Sequence, residues 1–140
     1  MVCVLGFDVG ARRIGVAVGN TLTGAARAVA VIDVGEAGID WSRVEALVRE
    51  WKPDRLVIGE PLTLEGEAQP ATHFARRFAA QAAELTKLPI AMVDERWSSL
   101  DADRRFAERR KAGTAKRRDA AALDAVAAEI IVERWLQGAA

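Results

Sequence analysis

At 140 residues with 51% hydrophobic side chains, the chain has the length of one domain and the apolar content for a real core, which excludes wholesale disorder. Twenty Lys/Arg balance twenty Asp/Glu, so a uniformly cationic coat is excluded, and the single cysteine, Cys3, can build neither a disulfide framework nor a thiolate metal site. The N-terminus enters Val2-Cys3-Val4-Leu5 without a basic lead, and no apolar stretch reaches the length of a bilayer span, so a cytoplasmic, membrane-free single domain over 1–140 is expected.

Taken in chain order, Val2 to Val9 is nearly all apolar, as a central strand buried on both faces should be. A turn at Gly10-Ala11-Arg12-Arg13 leads into Ile14 to Val18, and Ala28 to Ile32 makes a third strand; such short connections predict antiparallel neighbours. The period then changes. Trp41, Val44, Leu47, Val48 and Trp51 recur at helical spacing, with Asp40 as N-cap and Pro53 closing the segment. Leu56-Val57-Ile58 is a short strand ending at Gly59-Glu60-Pro61. After the polar stretch Thr63 to Gln69, Pro70 opens a second helix with Phe74, Phe78, Ala82 and Leu85 on one face.

Pro89 hands over to a strand from Ile90 to Val93 that ends Asp94-Glu95-Arg96. Ser98 or Ser99 can cap a third helix, and the Ala-rich stretch from about Asp119 to Leu136 is the last. The order βββ-α-β-α-β-α-α predicts an α/β domain, three antiparallel strands followed by two added through right-handed helical crossovers. Between Arg104 and Arg118 stand eight Lys/Arg against one acid, Glu108, a window of +7 on an otherwise acidic chain. Such an arm suits a polyanion, and equally a solvated helix end.

Acids stand at three strand ends, Asp8, Glu60 and Glu95, and a fourth, Asp124, shares a helix face with Ala127, Ala128 and Ile131. Sites in open sheets with helical crossovers form outside the carboxyl ends of the parallel strands, so these carboxylates can converge on one edge. Clustered buried carboxylates need a compensating cation, and oxygen donors without His or Cys suit Mg²⁺ or Mn²⁺. Two such ions can activate water and stabilise the leaving oxygen of a phosphodiester. Each acid also has a plain structural reading: Asp8 before Val9-Gly10 as a turn former, Asp124 as a first-turn helix acid, Glu60 and Glu95 as solvated loop acids.

The run Gly6-Phe7-Asp8-Val9-Gly10-Ala11-Arg12-Arg13-Ile14-Gly15-Val16-Ala17-Val18-Gly19 resembles the opening motif of the YqgF/RuvX family of pre-ribosomal-RNA nucleases. Ile58-Gly59-Glu60-Pro61-Leu62 with Gly66 is similar to the family's second motif, Asp94-Glu95-Arg96-Trp97-Ser98-Ser99 to its third, and Leu123-Asp124-Ala125-Val126-Ala127-Ala128 to its last. The resemblance spans nearly the whole chain. It implies an RNase H-like, RuvC-like fold with a five-stranded mixed sheet in the order 3-2-1-4-5, flanked by helices. It further implies a metal-dependent hydrolase acting at the 5′ end of small-subunit ribosomal RNA.

By motif position the family's acidic triad falls on Asp8, Glu95 and Asp124 as catalytic residues and metal ligands. Glu60 departs from the pattern, standing where the family usually has an apolar residue. With the fourth strand beside the first, Glu60 starts one strand spacing of about 4.8 Å from Asp8 and Glu95 starts two, so Glu60 is expected either as an additional ligand or as a partial replacement for Glu95. Arg12, Arg13, Arg96, Lys116, Arg117 and Arg118 are the expected nucleic-acid contacts, with plain surface charge as the alternative for the hairpin arginines. The substrate implied is nucleic acid, RNA preferred through the resemblance and DNA open. A branched-DNA resolvase uses the same chemistry, and a non-catalytic RNA-binding assembly factor is the reading from another class. Oligomeric state stays open, a homodimer included.

Overall fold

The computed structural model describes residues 1–95 and 120–138, with the side chains of the last helix described from Asp124 onward. The chain runs β1 (Cys3–Val9), β2 (Arg13–Asn20), β3 (Ala26–Gly35), β4 (Gly38–Ile39), α1 (Trp41–Trp51), β5 (Arg55–Glu60), α2 (Pro70–Thr86), β6 (Ile90–Asp94) and α3 (Ala120–Gly138). One mixed sheet has the order β4-β3-β2-β1-β5-β6. The hairpins β1–β2, β2–β3 and β3–β4 are antiparallel, whereas β5 and β6 pair parallel on the other side of β1. The sheet therefore has six strands where five were expected. The extra one is the two-residue β4, which folds back on the end of β3 through Val34↔Ile39 and Gly35↔Gly38. The order of the other five is as expected.

Strand alternation sends successive side chains to opposite faces. Leu5, Phe7, Val9, Ile14, Val16, Leu56 and Ile58 face α1 and α2, and pack with Val44, Leu47, Ala75, Phe78, Ala79 and Ala82. Phe7 is fully buried against Phe78, with ring centroids 5.2 Å apart, and Trp41 stacks on the same Phe78 at 5.0 Å. Truncating such a buried ring to Ala typically costs about 3–5 kcal/mol. The buried stripe of α2 is Thr72, Ala75, Phe78, Ala79 and Ala82; Leu85, expected on the core face, is exposed. The buried stripe ends at Ala82, and Leu85 falls in the last turn of the helix, one residue before its end at Thr86.

The other face is built differently. Val4, Gly6 and Asp8 of β1, Gly15, Ala17 and Gly19 of β2, and Val57 and Gly59 of β5 lie beneath α3. A Cβ on Gly6 would collide with Val132, and one on Gly15 with the carbonyl oxygen of Asp124. The small residues form a trough into which α3 sinks. Its own sequence is apolar nearly all round, with Val126, Ala128, Ile131 and Val132 fully buried. Glu129, itself nearly buried, accepts the Ala28 N–H at 3.0 Å and ties the helix to β3.

Helix ends follow the local chemistry. Asp40 caps α1 by accepting from the Arg43 N–H at 3.3 Å, and Lys52 closes it in the left-handed region at φ 47°. Gln69 and Thr72 form a reciprocal capping box at the start of α2, with Pro70 in the first turn. The helix expected after Ser98 or Ser99 lies outside the described residues.

Candidate functional site

Asp8 sits near the carboxyl end of the central strand, on the α3 face, directly opposite Gly15 in the β1–β2 ladder. Because Gly15 has no side chain, the first turns of α3 approach the β2 backbone and bring Asp124 toward Asp8. Glu95 follows the last residue of β6, with its N–H donating to the Glu60 carbonyl oxygen at 3.2 Å. It begins two strands from β1, roughly 10 Å at the usual spacing. Its longer side chain spans that gap over Gly59, where an added Cβ would lie 2.6 Å from Glu95 Oε2. Glycine on β5 is thus the opening through which Glu95 reaches Asp8.

The Asp8 and Glu95 carboxyls approach each other over Gly59, close enough for a proton to be shared between them. Burial pushes the Asp8 carboxyl up to about 6, the nearby charge of Asp124 adds to the rise, and the hydrogen bond from Glu95 opposes it. Glu95 is pushed up to about 8, first by burial, then by the charge of Asp8 and by its own donation to Asp8; Arg134 pulls it down. At neutral pH the pair retains about one proton, shared as a unit. Asp124 is turned to the hairpin, where Arg13 Nε donates to its Oδ2 at 2.7 Å, with both side chains about a third exposed.

Among the described residues no three acidic, His or Cys side chains stand close enough to form a ready-made cation cage. Asp8 and Glu95 supply two adjacent carboxylates, and the third, Asp124, is near enough to act on Asp8 electrostatically while its oxygen is held by Arg13. The donors are all hard oxygens, and the shared proton stands where a cation would remove the same repulsion. This donor set fits Mg²⁺ or Mn²⁺.

Glu60 does not join this group. The pairing Phe7↔Ile58 puts Ile58 and Glu60 on the α1/α2 face, across the sheet from Asp8. There the Glu60 carboxylate accepts from Arg76 Nε of α2 at 2.8 Å. Strand spacing alone suggested a ligand; the parity of the register sends the side chain to the other side. Arg12 is exposed on the hairpin turn, and Arg13 points to the α3 face as described. Arg96, Lys116, Arg117 and Arg118 lie outside the described residues.

Sequence reading missed two contributors. Arg134, ten residues beyond Asp124 on α3, donates to the Asp94 carbonyl at 3.3 Å and acts on Glu95 through its charge. The glycines at alternate positions, Gly6 and Gly15, Gly19 and Gly59, were read only as motif letters. Their shared parity was the available sign of a helix packed closely against that face.

The family model described as "RuvX: Holliday junction resolvase" matches residues 2–138. A relative from Xanthomonas oryzae pv. oryzae is 56% identical over 133 residues, covering 95% of this chain and 86% of its own. One from Xylella fastidiosa matches at the same identity and coverage, and both carry the name "Putative pre-16S rRNA nuclease". Among solved structures, T. thermophilus RuvC in complex with a Holliday junction substrate superimposes with a TM-score of 0.62 at 16% identity, covering 99% of this chain and 96% of that one. A second Thermus thermophilus RuvC structure gives 0.58 at 17% identity. At these identities the likeness carries the RNase H-like fold alone.

Proposed function

Because this chain belongs to the RuvX family, we propose that it is a divalent-metal-dependent nuclease that processes the 5′ end of precursor 16S ribosomal RNA. The observation that carries this reading is the half-buried pair Asp8–Glu95, brought together over Gly59 with Asp124 in electrostatic reach, at the carboxyl edge of the central strands. Isolated turn-forming or solvated acids would not be buried against one another at the cost this pair incurs. Relatives that share more than half of the sequence carry the nuclease name.

In this reading Asp8, Glu95 and Asp124 hold Mg²⁺ or Mn²⁺. Such ions, when bound, supply Lewis acidity at the phosphoryl oxygens and lower the pKa of water. The chain's own residues do the rest. Asp8 and Glu95 would hold such an ion as carboxylates, their shared proton being released to solvent. Arg13, freed from Asp124 or shared with it, offers a planar donor fork to a phosphate at the lip of the site. Arg12, exposed on the same turn, is a further proposed backbone contact, and Arg96, Lys116, Arg117 and Arg118, outside the described residues, are proposed contacts from the sequence alone. The single domain acts in the cytoplasm; no helix among the described residues is long and apolar enough to cross a membrane.

The test is incubation of the full chain with a precursor 16S 5′ region and, in parallel, with a four-way DNA junction, each with and without Mn²⁺. Metal-dependent cleavage of the RNA is the expected result. Cleavage of the junction alone would assign the activity to branched DNA. Tight RNA binding without cleavage of either would make the chain an assembly factor instead.

A further inference from the structure

On the opposite side of the sheet edge from the acids lies a cavity of about 300 Å³ between the first hairpin and the start of α2. Val9, Gly10 and Ala11 form one wall, and Pro70, Phe74 and Arg77 the other. We propose that this cavity is a subsite for the base of one nucleotide flanking the scissile phosphate, with Phe74 and Arg77 as its recognition residues. The proposal rests on the nuclease reading above.

Three observations support it. First, position: Val9 lines the cavity and directly follows Asp8, with Cα atoms about 3.8 Å apart and side chains on opposite faces. A strand whose phosphate sits at Asp8 and that crosses this sheet edge would bring its neighbouring nucleotide to the Gly10–Ala11 turn. Gly10 keeps that turn tight, its N–H donating to the Arg13 carbonyl at 2.9 Å. Second, chemistry: the Arg77 guanidinium lies 5.8 Å from the centroid of the half-buried Phe74 ring. An aromatic face paired with a guanidinium plane gives a base a stacking surface and its phosphate a donor. Third, size: the volume lies at the low end of the roughly 300–1,000 Å³ typical of small-ligand sites, which suits one base rather than two.

Charge agrees with this occupant. Arg77 at the cavity is exposed, as are Arg12 and Arg76, the chain neighbours of Ala11 and Arg77, and Arg76 is paired with Glu60. That pairing holds the Arg76 side chain toward the end of β5.

The experiment uses full-length protein and single-stranded RNA oligonucleotides derived from the precursor 5′ region, each carrying one abasic position near the cut. Binding is read by fluorescence anisotropy and cleavage by kcat/KM. Wild type should lose roughly 5- to 150-fold in affinity at one abasic position, the usual worth of one stacked base. Phe74→Leu keeps apolar bulk without the ring face, so it should bind intact RNA more weakly and show no penalty at that same position. Arg77→Gln should weaken all the oligonucleotides and flatten the salt dependence by about one unit of slope or less. An undiminished abasic penalty in Phe74→Leu, in protein that melts like wild type, would place the base elsewhere and overturn the subsite. Wild type that binds with the position-specific penalty but never cleaves would overturn the nuclease reading and leave the subsite standing.

Discussion

Arg13 Nε lies 2.7 Å from Asp124 Oδ2, joining the first hairpin to the last helix across 111 positions of sequence. The contact closes one side of the acidic group and gives Asp124 a cation of the protein's own. Any divalent ion that recruits Asp124 must compete with this guanidinium. Two consequences have opposite signs. Arg13→Gln should lower the Mn²⁺ concentration needed for half-maximal cleavage severalfold, because the competitor is gone. It should also raise KM for RNA, because a phosphate donor is lost. Metal titrations of cleavage at several RNA concentrations separate the two effects. A half-saturation for Mn²⁺ that does not fall would show that Arg13 does not guard Asp124.

The trough beneath α3 gives a second prediction. A Cβ on Gly15 would run into the Asp124 carbonyl oxygen, so Gly15→Ala must displace the first turns of α3. Gly19→Ala intrudes at the far end of the same helix, 2.6 Å from Val132 Cγ1 and 3.1 Å from Leu136 Cδ1. Both should destabilise by about 1–3 kcal/mol, as overpacked sites do. Only Gly15→Ala moves a carboxylate, and displacement of about 1 Å at a reacting centre can remove about 10²-fold in rate. The ratio of cleavage rate to folded fraction, with unfolding followed by denaturant, should therefore collapse for Gly15→Ala and hold for Gly19→Ala. Equal losses in both would mean that the trough sets stability alone.

Much of this architecture is legible in the amino-acid sequence. The apolar run Val2 to Val9, the short turn at Gly10 to Arg13 and the apolar Ile14 to Val18 give the hairpin, and acids terminating apolar runs give Asp8 and Glu95. What resisted reading is register. Whether Glu60 shares a face with Asp8 depends on Phe7 pairing with Ile58 and not with its neighbour, and a one-residue slip reverses the answer. Nothing local in Leu56 to Glu60 fixes that choice, since apolar residues run through the strand and both of its faces are covered. The reach of Glu95 was obscured in a related way, because the opening over Gly59 exists only once β5 lies between β6 and β1.

The two glutamates can be told apart by substitution. Glu95→Gln preserves a donor toward Asp8, so the fold should hold while cleavage is lost at every metal concentration. Glu60→Gln leaves the acids untouched and loosens Arg76, so its metal dependence should match wild type and KM for RNA should shift. Metal titration of each variant at saturating RNA checks this. A raised metal requirement in Glu60→Gln would return Glu60 to the ligand set and contradict the face on which β5 places it.

The shared proton makes stability depend on pH in a direction opposite to that of a salt-bridged carboxylate. The ordinary values are 3.8 for Asp and 4.5 for Glu, whereas in the folded chain Asp8 stands at about 6 and Glu95 at about 8. Between those limits the folded state binds more protons than the unfolded state, so unfolding free energy falls as pH rises. The benefit of the protonated pair is complete below the unfolded values and is lost as pH passes through the folded ones. With EDTA present, Tm should therefore be higher at about pH 5 than at about pH 8.5, insofar as these two groups govern it. Divalent ions replace the proton, so the stability gain from Mn²⁺, read as a rise in Tm, should be small at the lower pH and large at the higher, where the free-energy gain approaches about 2.7 kcal/mol at a hundred times Kd. Asp8→Asn removes one charge without changing shape. Its Tm in EDTA should exceed that of wild type at the higher pH, its dependence on pH should flatten, and Mn²⁺ should add little. A turn-forming Asp8 predicts the reverse on each count, with the Mn²⁺ gain intact and cleavage retained in Asp8→Asn. Melting curves of both proteins at the two pH values, with EDTA and with Mn²⁺, decide between them, and an undiminished Mn²⁺ gain in Asp8→Asn would remove Asp8 from the metal site.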